Sequence, residues 1–224
     1  MYLMISMHKP FSQHHSLQKH FDIIRGIWKR EFNVFGLERY IALMLAVVKL
    51  LFPMRWISHY TKHLWYGARN RALEVYMISK FLILCLLLSG IMPWYIAIPL
   101  VIYILADITQ YLLGLIFLSN VYTKLPVIKR NFAHLMMNVG EIVMGFGVLY
   151  LYFHAVGTNW VAITSGIDAA YFSMVTFSTI GYGDIIPLTQ MGRILVIIET
   201  LVSLLFVTII VSSFVAGMDI KDEA

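Results

Sequence analysis

The sequence predicts an all-α membrane protein, and three observations carry that expectation. Apolar residues make up 60% of the 224 positions and charged residues only 13%, the balance of a membrane protein rather than of a soluble domain. Apolar stretches at 81–119, 132–156 and 188–217 reach or exceed the ~20 residues that cross a bilayer as helix. Of 17 Lys and Arg, twelve lie before residue 81, ahead of those stretches. A basic segment can serve nucleic acid or anionic lipid. Beside apolar spans it reads as cytoplasmic orientation, so no nucleic-acid partner is expected.

Residues 1–76 read as a cytoplasmic, basic and interfacial region. The start of the chain shows no basic segment followed by an apolar core, so no cleavable signal peptide is expected. His8, His14, His15 and His20 have no cysteine and only Asp22 near them, which favours a solvated segment over a metal site. Within 37–57, the run Tyr40–Val48 is interrupted by Lys49 and closed by Pro53. It falls short of ~20 residues and reads as a helix lying in the cytoplasmic interface, with a tilted span as the alternative. His59, Tyr60, Lys62, His63, Trp65, Tyr66, Arg69 and Arg71 interleave charge and aromatics over 55–80. The plain reading is an aromatic belt with cytoplasmic charge. The sharper one is a site for anionic lipid headgroups, each basic residue worth roughly 1 kcal/mol.

Residues 77–131 read as a helical hairpin and a cytoplasmic loop. A single helix over 81–119 would be about 58 Å long, nearly twice the hydrocarbon thickness. Gly90 and Pro93 break it, giving spans of 77–90 and 95–119 joined at Gly90–Trp94. Cys85, the single cysteine, admits no intrachain disulfide and is expected to be a small buried hydrophobe. Asp107 interrupts the second span, and an intramembrane acid is a functional candidate. The structural alternative, which we favour, is an acid hydrogen-bonded to a neighbouring Ser, Tyr or Lys. Lys124, Lys129 and Arg130 place the loop 120–131 in the cytoplasm. Neither span carries Arg or Lys at every third residue, so neither is a voltage sensor.

A third span is expected over 132–156, with Gly140, Gly145 and Gly147 permitting close helix packing. Its one acid, Glu141, has Lys129 and Arg130 as candidate partners if the helix starts late, and its depth is left open. Tyr150, Tyr152, Phe153 and His154 mark the outer interface. A polar loop, 157–166, leads into a short helix at 167–178, where Asp168 suits the positive end of the helix dipole. The last span, 188–217, carries Glu199 as its only charge after Ile194. Residues 218–224 form a short cytoplasmic tail, with no soluble ligand-binding domain expected after them.

Between the last two helices lies Thr176-Phe-Ser-Thr-Ile-Gly-Tyr-Gly-Asp184. Stripping an ion of its water requires carbonyl oxygens in consecutive layers. Stacking carbonyls that way takes the backbone outside the regions ordinary residues prefer. Gly181 and Gly183 supply that freedom. Thr179 can add its hydroxyl, while Ile180 and Tyr182 point away from the axis and can pack on the surrounding helix.

On these residues, 132–217 resembles the pore module of the potassium channel family: outer helix, pore helix, filter and inner helix, preceded here by two extra transmembrane helices. The resemblance implies that Thr179, Ile180, Gly181, Tyr182 and Gly183 line the filter, with K+ at Thr179, Ile180, Gly181 and Tyr182. It places Tyr171 and Phe172 in an aromatic cuff. Val175 stands where some bacterial members have a carboxylate that pairs with the filter's Asp, so Asp184 needs another partner, from the cuff's aromatic or backbone groups. Thr176 and Glu199 support the filter from behind, Glu199 by bonding Ser173 or Thr176; the alternative role is attracting cations. Leu204, Val207, Val211, Ser212 and Val215 face the axis, Val211 and Val215 forming an apolar constriction. Ser203 stands near where many members have a hinge glycine, so a glycine-hinged bend is not expected.

The function these readings predict is passive, potassium-selective conduction. One chain supplies one filter strand of four, so a homotetramer is expected. K+ is the permeant ion, no cofactor is called for, and membrane lipids are the other partners. A multi-pass protein of the cell membrane with both termini cytoplasmic is the expected setting. No Cys/His, Ser/His or metal-ligand constellation suggests an enzyme. The alternatives are a less selective cation pore, and a non-conducting membrane protein that binds lipid or a partner.

Overall fold

The computed structural model describes residues 24–28, 36–53, 66–117, 128–154 and 163–222. The histidines of the first twenty residues, most of the basic aromatic stretch 55–80 before Tyr66, the loop 120–127 and the outer loop 157–162 lie outside them. The described chain is helical: α1 (Gly36–Val48, continued by a 3-10 turn Lys49–Leu51), α2 (Tyr66–Leu88), α3 (Trp94–Phe117), α4 (Ile128–Phe153), α5 (Gly166–Phe177) and α6 (Gln190–Asp222). Among the described residues, three segments are long and apolar enough to cross a membrane: Trp94–Gly114, Leu135–Phe153 and Gln190–Val211.

The first helix of the hairpin differs from expectation. It starts at Tyr66 rather than 77, absorbing part of the basic segment. At about 1.5 Å per residue it is long enough to span. Its first fifteen residues, however, carry Arg69, Arg71, Glu74 and Lys80, and it is not among the three strongly apolar segments. The physical account is local neutralisation. Lys80 is buried and lies 3.2 Å from Asp107 and 3.0 Å from Glu141, which offsets the cost of taking its charge out of water. Asp107 is therefore a packed acid with a Lys partner and a Tyr partner, Tyr76 at 3.0 Å. Glu141 lies at ion-pair distance from Lys80 across the helices; the side chains of Lys129 and Arg130 lie outside the described residues. Sequence reasoning went to bases near along the chain; packing brings one from another helix.

Cys85 is exposed, against expectation. The segment 81–88 is apolar on every side, so sequence does not say which face is inward. Leu84 and Leu87 turn into the core, leaving Cys85 on the outer face. The α2–α3 turn closes as its sequence suggests: Gly90 adopts φ +73°, and Ser89 and Gly90 donate to the carbonyls of Leu86 and Leu87.

α4 is the hub of the packing. Its buried face, Ile142, Phe146, Val148, Leu149 and Tyr150, joins one continuous core with α2, α3, α5 and α6. Close approach explains why this helix tolerates glycine. A Cβ on Gly147 would lie 3.3 Å from the backbone of Ala169 and Ala170 in α5.

α1 packs lengthwise on α3. Ala42, Leu45 and Ala46 are buried against Leu113 and Phe117 and against Ile24 and Ile27 of the helical turn 24–28. Gln110 donates to the Leu45 carbonyl, and Tyr103 donates to that of Leu51. Rising numbers on α1 meet falling numbers on α3, so the two run antiparallel. The expected interfacial helix therefore exists as a helix, with a spanning helix as its packing partner.

One contact ties the hairpin to the helix before the motif. A Cβ on Gly166 would lie 2.1 Å from the backbone carbonyl oxygen of Leu88. Backbone cannot rotate aside as a side chain does. Gly166→Ala should therefore destabilise the chain by about 1–3 kcal/mol, read as a lowered midpoint of thermal unfolding in detergent. An unchanged midpoint would mean that α2 and α5 do not meet in this way.

Candidate functional site

The motif hangs from the C-terminal end of α5, and the sequence of α5 explains its aim. Ser165 caps the helix: it accepts from the Asp168 amide at 3.1 Å, and Asp168 Oδ2 accepts from the Ser165 amide at 3.0 Å. Thr164 adds its amide and hydroxyl to the same oxygen. These donors hold the Asp168 carboxyl below the usual carboxylate range. With its N-terminus satisfied, α5 runs to Phe177 and points its negative end at the motif.

From there the backbone reverses. Thr179 donates its amide to the Thr176 carbonyl at 3.0 Å, and Ile180 donates to Val175 at 3.1 Å. The Gly181 amide also turns to Val175, at 3.5 Å. Thr179, Gly181 and Gly183 have φ of +57°, +60° and +78°, while Ile180 and Tyr182 stay on the negative side. In an extended strand successive carbonyls point to opposite sides. Changing the sign of φ at every second residue turns them to one side instead. The amides of Thr179, Ile180 and Gly181 bond back to α5, which leaves their side of the backbone turned toward that helix. Thr179 is the telling residue, because a β-branched side chain rarely accepts positive φ. Ile180 and Tyr182 are 56% and 68% exposed, so they do not pack on the pore helix of their own chain.

Behind this row, support comes from α4, α5 and α6 together. Phe172 is buried and meets the Tyr150 ring edge-on at 4.8 Å. Val175 is buried, and Phe177 packs on Phe206 of α6 at 6.0 Å. Glu199 of α6 is fully buried. One of its oxygens accepts from Ser173 of α5 at 2.5 Å and the other from Tyr150 of α4 at 2.6 Å. Of the two α5 partners expected, the structure selects Ser173; Thr176 bonds instead through its backbone carbonyl. Tyr150 was missed, having been read only as an interfacial aromatic. Its spacing from Gly147 on the face toward α5 is the signal that could have found it.

At the outer mouth, Tyr171 donates its hydroxyl to Asp184 Oδ2 at 2.6 Å, and the Ile185 amide donates to Oδ1 at 3.0 Å. The tyrosine hydroxyl, followed by the backbone bond, holds the Asp184 carboxyl below its ordinary value. The same contact pushes the Tyr171 hydroxyl up to about 12.

On α6, Leu204, Val207 and Val211 are all at least half exposed and share one face. The side chains of Ser212 and Val215 lie outside the described residues. Ser203, which is buried, donates to the Thr200 carbonyl, and α6 runs unbroken from Gln190 to Asp222. Among the described residues no group of His, Cys, Asp and Glu is arranged to hold a metal.

Residues 138–218 match a family described as an ion channel. The chain is also similar to "Two-pore potassium channel 4" of Arabidopsis thaliana, 44% identical over 50 residues. That match covers 22% of this chain and 18% of the relative, so the chain spans well under two thirds of the relative's length. No solved structure matches significantly.

Two outcomes test this geometry. Tyr150→Phe should remove one of the two hydroxyl donors to Glu199 and cost about 1.5–3 kcal/mol, read by thermal unfolding. For Asp184 the bound form is the ionised one, so the contact contributes above pH about 3.8 and is lost as pH falls through the lower folded-state value. In Tyr171→Phe the Asp184 titration followed by NMR should move up toward 3.8; no movement would remove Tyr171 as the cause.

Proposed function

We propose that the chain, whose residues 138–218 match an ion-channel family, forms a passive, potassium-selective channel. The observation that carries this reading is the alternation of φ sign over 179–183, with the amides of Thr179, Ile180 and Gly181 bonded back to α5; it supports a row of carbonyls on one side. Carbonyl oxygens set close together replace the water shell of a bare monovalent cation without a charged side chain in the path. The α5 terminus adds a negative potential behind them.

One row of oxygens surrounds nothing, so the reading requires several copies around an axis. Four is the number proposed. The exposed faces fit that arrangement: Ile180 and Tyr182 on the motif, and Leu204, Val207 and Val211 on α6, lack apolar cover within one chain. In the assembly the first pair packs on the neighbouring subunit. The α6 residues line the pore, with Val211 at its narrow, apolar end. K+ is bound at Thr179, Ile180, Gly181 and Tyr182. The seat of the protein is the cell membrane, with the basic flanks in the cytoplasm.

The test is flux from proteoliposomes under a potassium gradient, with sodium as the matched ion and barium as blocker. Barium-sensitive potassium flux far above sodium is expected. Comparable flux of both ions would favour the less selective pore. Gly181→Ala places a Cβ on a left-handed residue, at about 1–2 kcal/mol per copy, although open space surrounds that position. Loss of potassium flux with membrane insertion intact is the expected result; wild-type flux in this variant would refute the filter assignment.

A further inference from the structure

Three ionisable side chains meet where α2, α3 and α4 pack: Lys80, Asp107 and Glu141, with 7%, 5% and 0% of their surface exposed. Lys80 Nζ is 3.2 Å from Asp107 Oδ2 and 3.0 Å from Glu141 Oε2. One ammonium therefore faces two carboxyl groups. With both ionised, the cluster would hold one uncompensated negative charge in an apolar interior, which costs several kcal/mol. The nearest bases on the same helices are too far to help. Arg71 lies nine residues before Lys80, and Arg130 eleven before Glu141, about 13 and 16 Å along their helices.

The two acids are not equivalent. Asp107 Oδ2 accepts two hydrogen bonds, from Lys80 Nζ and from the Tyr76 hydroxyl at 3.0 Å. Glu141 has the Lys80 ammonium 3.0 Å from Oε2, and among the described residues its Oε1 has no hydrogen-bond partner. A buried carboxyl that shares one cation and has no other donor is the costlier of the two to keep ionised. A neutral carboxylic acid supplies its own donor and removes the excess charge.

We infer that Glu141 is a proton-binding site: in the membrane at neutral pH its carboxyl holds one proton, and Asp107 carries the charge that balances Lys80. The groups around it come from every helix of the cluster. Lys80 and Tyr76 face it from α2, Asp107 from α3, with Tyr103 against Asp107. On α4 itself the buried Asn138 lies one turn earlier. The carboxyl contributed by α6, Glu199, joins α4 at Tyr150, nine residues and about 13 Å further along, and belongs to a separate network.

The site links proton binding to hairpin attachment. Thermal unfolding in detergent that brings water to Glu141 frees its proton at neutral pH, so the docked state binds more protons. Its stability is then present at low pH and falls as pH rises. The inference requires no conduction and stands apart from the channel reading.

Infrared spectroscopy of the full chain in lipid membranes tests it directly. At neutral pH, wild type minus Glu141→Gln should show a carboxylic-acid carbonyl band. That band should shift when the protein is made with glutamate carrying heavy carbon in its side-chain carboxyl. A band insensitive to that label would place the proton on Asp107 and overturn the assignment. A difference showing only carboxylate bands would overturn proton binding altogether. In parallel, the thermal midpoint of wild type should fall as pH is raised, while that of Glu141→Gln, which folds without the extra charge, should stay level. Equal falls in both proteins would overturn the linkage.

Discussion

Glu199 is the point on which the support of the motif depends. A single carboxyl group from α6 reaches α5 through Ser173 and α4 through Tyr150. Apolar side chains can slide by a fraction of a turn at little cost, whereas a buried carboxyl hydrogen-bonded on both oxygens cannot. The carbonyl row begins only a few residues after Ser173, so the register of α5 is the register of the row. The Tyr150–Phe172 ring contact and the Phe177–Phe206 contact lie on either side of the same junction.

The motif itself balances strain against bonding. Three left-handed residues in five, one of them a β-branched threonine, are held by amide bonds to the last turn of α5 and by the Tyr171–Asp184 contact at the outer end. With Val175 in place of an acid, the partner of Asp184 comes from the aromatic at 171. That is a neutral donor on an exposed surface rather than a buried pair of acids. The outer end is thus fastened by one bond between side chains, and the inner end by several along the backbone.

Much of this was legible in the sequence. The helical class, the order of outer helix, short helix, motif and last helix, and the need for Gly at 181 and 183 follow from apolar length and backbone sterics. Ser173 as the partner of Glu199 was one of two named choices. What was not legible shares a cause: it depends on which face of an apolar helix turns inward. Lys80 hid in a basic segment and proved to lie between two acids 27 and 61 residues further along the chain. Cys85 and Tyr150 were read from composition and from position near an interface, neither of which specifies rotation about the helix axis. The start of α2 at Tyr66 was missed for the same reason, since charges discourage a membrane reading unless their partners are known.

The contact between Gly166 and Leu88 has a structural consequence. The end of the hairpin abuts the first residue of the helix whose last turn carries the motif. The hairpin thus meets the start of α5 backbone to backbone, with no α6 residue between them, while α5 is tied to α6 further along through Ser173 and Glu199.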